Sequence, residues 1–168
     1  MTNISLSFEE GMLAGMQGII QMMRSIRQGK VGYEARDLVG REMRVRWADV
    51  LLGQFGEHVI SKAIGAYPVA SADGIKGDDP GGLAIRTTGY PNGCLIVFNY
   101  ELPKWDDKVF VLVTGHWPDF RIPGWIYGRE ANFPEFLRTG KEPRQWWVPQ
   151  DALHPFSEMP LPQREIPK

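Results

Sequence analysis

A single cysteine, Cys94, stands in a chain of 168 residues. That count excludes an internal disulfide and any metal cage built on thiolates, and it fits a reducing compartment. Charge of one sign is equally scarce: 19 basic and 20 acidic residues leave a formal net charge of −1. No global basic field draws in nucleic acid, so contact with phosphate has to come from a local patch. No apolar run approaches the length that spans a bilayer, so no membrane association is expected. The amino-terminal MTNISLSFEEG has neither the basic flank nor the apolar run of a secretion signal. The cytoplasm is the expected location.

Familiar catalytic signatures are missing too. The sequence holds no GxxxxGK[ST] phosphate loop, no GxGxxG opening a helix, no HExxH and no GxSxG. His58, His116 and His154 have no zinc-type spacing. Cys94 sits in an apolar run, where a structural thiol is expected rather than a nucleophile. Nucleophilic and zinc catalysis are therefore set aside.

What is present is an ordinary globular composition, 43% hydrophobic and 23% charged, enough to build one core without staples. Six Trp and 13 Pro point to a loop-rich C-terminal half. Ser7 followed by Glu10 reads as a capping box that opens a helix running to about Gln28. Met12, Met16, Ile19, Met23 and Ile26 recur at alternating spacings of four and three and line one face of it. The favoured reading packs that face on the helix's own domain. The second makes it a Met-rich seam for a partner, in another protein or in a homodimer through this helix. A second helix is predicted from about Arg41 to Ile64 and ended by Gly65, with Gly53 and Gly56 marking either a break into two pieces or a point of close packing. Strands are expected at Leu83–Thr88, Cys94–Tyr100, Lys108–His116 and Phe120–Gly128, the first two joined as a hairpin by Tyr90-Pro91-Asn92-Gly93. A short helix at Arg129–Leu137 and a last strand at Trp146–Val148 follow, with Trp125 packed under the sheet. The class is α/β in the α+β sense: N-terminal helices, then a central mixed β-sheet with flanking helices. The chain divides into a helix and linker (1–40), a core (41–155) and a Pro-rich tail (156–168).

The chemistry that remains is an oxygen-ligand site. Glu57 on a helix and Asp79 at the Gly-rich entry to a strand could hold Mg²⁺ or Mn²⁺, with Arg86 on that strand steadying phosphate charge. Each also has a plain reading, as a solvated helix acid, a turn former before Pro80 and a surface charge. Arg41, Arg44 and Arg46, with Arg24, Arg27 and Lys30 near them in sequence, form the best patch for nucleic-acid phosphates.

The stretches GQFGEHVISKAIG and DDPGGLAIRTT resemble the core of the PD-(D/E)XK nuclease superfamily. VFVLVTGHWPDFRIPGWIYGREA and the ending WWVPQDALHP resemble the strand pair and close of small phage and prophage proteins of that group. The resemblance runs from about Gln54 to Pro155 and implies a restriction-endonuclease-like fold. It implies catalytic roles for Glu57, Asp79 and Arg86, with Glu57 and Asp79 as metal ligands. It also implies a nucleic-acid substrate, DNA foremost, and the host cytoplasm if the chain is phage-encoded. One position departs from the pattern: Ala84 stands where the triplet carries Asp, Glu or Gln. Alanine binds no metal, and the Arg86 guanidinium stays protonated and cannot act as a base. Asp78 or Glu101 could replace the missing acid. Two functions follow: a metal-dependent nuclease with a degenerate site, or an inactive nuclease-fold module that binds DNA or a protein, for example in anti-defence or host takeover.

Overall fold

The structure is a computed structural model and describes residues 1–28, 43–66, 80–102, 104–140 and 144–160. Asp78, Asp79, Arg41, Lys30 and the end of the Pro-rich tail, on which several expectations fall, lie outside the described residues. The class is α+β, with two sheets where one was expected. Strand β1 (Thr2–Ser5), which has no strong sequence signal, precedes helix α1 (Phe8–Arg27). Helix α2 (Met43–Ile64), β2 (Ala84–Thr88), β3 (Leu95–Phe98), β4 (Val109–His116) and β5 (Asp119–Tyr127) follow. A one-turn helix α3 (Gly128–Ala131) and the short strands β6 (Leu137–Arg138) and β7 (Gln145–Val148) complete the order. The helix expected at Arg129–Leu137 is thus only α3 and a 3₁₀ turn at Pro134–Phe136.

The first sheet runs β1-β5-β4-β2 and is mixed, with β2 parallel to β4 and the other pairs antiparallel. Its centre is β4, whose VFVLV run is apolar on both sides, as a strand covered on both faces must be. Val111 and Val113 face a cluster with Val59 and Ile60 of α2 and Ile85 of β2. Phe110 and Leu112 face the opposite cluster with Leu95 and Val97 of β3 and Val148 of β7. Three layers result: α2, the first sheet, and a second sheet ordered β3-β7-β6.

The hairpin expected between β2 and β3 is not formed. The turn itself is there, with the Gly93 amide donating to the Tyr90 carbonyl at 3.0 Å. But Leu95 and Val97 are buried only when β3 lies over the Phe110/Leu112 face rather than beside β2. β3 therefore pairs with β7 and β2 with β4.

α2 runs unbroken through Gly53 and Gly56. Gly56 is where the helix touches the sheet: a Cβ there would stand 1.8 Å from Thr87 Oγ1. Gly124 serves the same purpose in β5, where a Cβ would meet the His154 carbonyl oxygen at 2.2 Å. That closeness lets Trp125 and His154 exchange backbone hydrogen bonds of 3.0 and 2.8 Å, which hold the C-terminal segment on the sheet. Trp125 is buried as expected, and its indole N–H donates to the Pro155 carbonyl at 3.0 Å.

Candidate functional site

Arg86 and Ala84 alternate with Ile85 and Thr87 along β2, so the two pairs face opposite sides of the sheet. Arg86 lies on the side of the second sheet. Its guanidinium sits over the Phe110 ring and donates to the carbonyls of Ile96 and Ile85, each at 3.1 Å. It also pairs with Glu101, whose second carboxylate oxygen accepts from the Phe98 amide at 2.8 Å. Glu101 is buried, and Arg86 is its counter-charge. Arg86 thus ties β2 to β3 where no backbone ladder does.

Glu57 is on the other side. α2 lies against the Ile85/Thr87 face through Gly56, and the half-buried Glu57 carboxylate accepts from the Gln54 side-chain amide at 2.7 Å. The sheet separates Glu57 from Arg86, so these two members of the expected constellation are not brought together. Asp79, the third, lies outside the described residues. Glu101, a candidate replacement for the missing acid, is committed to Arg86, and Ala84 is buried among apolar side chains. Of the two residues expected to hold Mg²⁺ or Mn²⁺, only Glu57 is among the described residues. Among them no three of His, Cys, Asp and Glu come together as a metal site.

The basic patch is not assembled by α2 alone. Arg44 is exposed and Arg46 half-buried, and residues two apart on a helix do not share a face. The aromatic pair on β7 is half-buried on both sides of the strand, and Trp147 is covered by the Arg138 guanidinium at 4.9 Å. An open cleft of about 780 Å³ runs beside it, lined in part by Cys94, Phe136, Arg138, Trp147 and Asp151. Cys94 stands just before β3, half-buried at the rim.

The feature that stands out is α1. Ser7 and Glu10 form the expected capping box, with Ser7 N donating to Glu10 at 2.6 Å and Glu10 N to Ser7 Oγ at 3.2 Å. The Lys62 ammonium beside Glu10, together with the Ser7 amide, holds that carboxyl below the usual carboxylate range. α1 packs antiparallel on α2, but not through its methionine stripe, and the favoured expectation is corrected here. The packed side is Gly11, Ala14, Gly18, Met22 and Ser25. Rows of polar contacts accompany it: Glu10 with Lys62 at 2.8 Å, Gln17 with His58 at 2.7 Å, Gln21 with Gln54 at 3.3 Å. Small residues win because the backbones approach closely, with the Cα of Leu51 3.4 Å from where a Gly18 Cβ would be. Met12, Met16, Ile19 and Met23 are left on the outside, about half exposed each, with Met16 at 56%. Sequence periodicity found this face but assigned it to the wrong side.

Among the described residues no helix is long and apolar enough to cross a membrane. Comparisons with protein families, with curated proteins and with solved structures found no match.

Proposed function

We propose that this chain is a binding module that works without catalysis and engages a helix of a protein partner through the outer face of α1. The observation that carries the reading is that face: seven large apolar side chains of α1, from Phe8 to Met23, are exposed. They present on the order of 600 Å² of apolar surface, at the upper end of the largest patch on a typical monomer. A helix in a groove or against a second helix recognises such a face through residues three and four apart.

The metal-dependent nuclease is the weaker reading. It is supported by the sequence phrases alone, whereas Glu57 and Arg86 fall on opposite sides of the sheet. A restriction-endonuclease-like ancestry for the scaffold remains part of the proposal. Its support is those phrases and a helix laid across a mixed sheet with a parallel β2–β4 pair.

The test is cleavage of end-labelled single- and double-stranded DNA and RNA with Mg²⁺, Mn²⁺ or EDTA, comparing wild type with Asp79→Ala. The expected result is no metal-dependent cutting by either. Cutting by the wild type that disappears in Asp79→Ala would overturn the reading and restore a nuclease.

A further inference from the structure

We infer that the helix that docks on α1 is α1 of a second copy of this chain, laid antiparallel to form a two-fold symmetric dimer; this rests on the docking reading above. The charge pattern selects the partner. The charges of α1 are at its ends, Glu9 and Glu10 in the first turn and Arg24 and Arg27 in the last. Glu10 is paired with Lys62, so the pattern that matters is Glu9 at one end and Arg27 at the other. Nothing between Gly11 and Met23 is charged. A helix that complements this one must be apolar through its middle, basic where α1 begins and acidic where it ends. A second α1 running the opposite way meets that description.

The register follows from the spacing. With Met16 opposite Ile19 across the two-fold axis, Met12 falls opposite Met23, and Glu9 falls beside Arg27 of the other copy. Residues i and j then exchange places across the axis, as a self-complementary interface requires. Alternating spacings of four and three make this a knobs-into-holes seam rather than a scattered patch. In a parallel pair like charges would meet at both ends and the helix dipoles would add; in the antiparallel pair both are offset.

Area permits it. Two faces of this size bury roughly 1,200 Å², the lower bound of stable specific interfaces. The near-zero net charge of −1 adds little repulsion between copies. The face lies on the side of α1 opposite the buried Ala14, Gly18 and Met22, and its seven large apolar side chains are exposed.

Sedimentation equilibrium of the full chain tests the inference. The wild type is expected as a dimer, and Met16→Asp/Met23→Asp as a monomer with an unchanged circular dichroism spectrum, since both side chains are exposed. A double variant that stays dimeric overturns the inference. Orientation is read from Glu9→Arg and Arg27→Glu. Each alone is expected to weaken the dimer by about threefold to tenfold, and mixing the two is expected to restore it as a heterodimer. No recovery on mixing overturns the antiparallel arrangement.

Hydrogen peroxide footprinting separates this inference from the reading it rests on. In the dimer Met12, Met16 and Met23 are expected to resist oxidation and to lose that protection on dilution. A monomer whose three methionines oxidise freely overturns the dimer and leaves the docking face standing. A monomer in which they are protected overturns both, because the chain then covers its own face.

Discussion

The Arg86 guanidinium is one-quarter exposed, while its partner Glu101 is almost wholly buried. Such a pair contributes little net stability as a pair, but either half alone is costly, because the remaining charge stays in a low dielectric. Glu101→Leu is therefore expected to lower the unfolding free energy by about 3 kcal/mol in urea titration. Adding Arg86→Met to that variant is expected to recover most of the loss. A neutral Glu101→Leu would show that the carboxylate is not the counter-charge that keeps Arg86 in place. At Gly56 the constraint is steric. Gly56→Ala is expected to cost about 1–3 kcal/mol through overpacking against Thr87. In a Thr87→Ala background the cost falls, because the 1.8 Å and 3.2 Å contacts are with side-chain atoms that substitution removes. Additive penalties in the double-mutant cycle would place the strain elsewhere. Close packing was one of the two sequence readings of Gly56, whereas the part of Arg86 could not be read from the sequence. Arg86 looked like a phosphate ligand because the strand carrying it was visible, while its partner fifteen residues on was not predictable.

Helix α1 is the element in which sequence and structure agree most closely on boundaries and differ most on orientation. The capping box marks its start, and Ser7→Ala is expected to cost about 1 kcal/mol, read as a lower urea midpoint with an unchanged slope. The pairing of α1 with α2 also carries a pH response. Burial between the helices lowers the His58 pKa below the ordinary 6.5, against a smaller opposing pull from Glu10. The ring donates to Gln17, with Glu10 and its ion-pair partner Lys62 the charged groups beside it. The folded state therefore binds the proton less readily than the unfolded chain. Stability is full above pH 6.5 and is lost as pH falls from there towards the depressed folded value. His58→Gln is expected to flatten this part of the profile, monitored by thermal unfolding between pH 5 and pH 7. An unchanged slope in that variant would assign the response to another group. The strands were legible because β4 is apolar on both faces and β5 follows it at once. The β2–β3 hairpin was misread because its turn signal is real, whereas pairing partners are chosen by which face buries Leu95 and Val97.

As a whole the described residues form α1 on α2 on one sheet on another, with seven large apolar residues of α1 facing out. If the chain acts by docking rather than by metal-dependent hydrolysis, Mn²⁺ should not favour the folded state. Its melting temperature is then expected to be the same in Mn²⁺ and in EDTA; a rise with Mn²⁺ that Asp79→Ala abolishes would reveal a metal site. The sequence by itself determined the α+β class, the span of α1 and its cap, the central strands and an uncharged stripe of methionine and isoleucine. These are properties of short windows, in which periodicity and capping chemistry act between near neighbours. The tertiary structure alone decided that the sheet splits in two, that Glu57 and Arg86 stand on opposite faces, and that α1 packs through glycine, alanine and serine. Those outcomes depend on contacts between distant segments, where closeness of backbones and the pairing of buried charge outweigh the hydrophobicity of any one stripe.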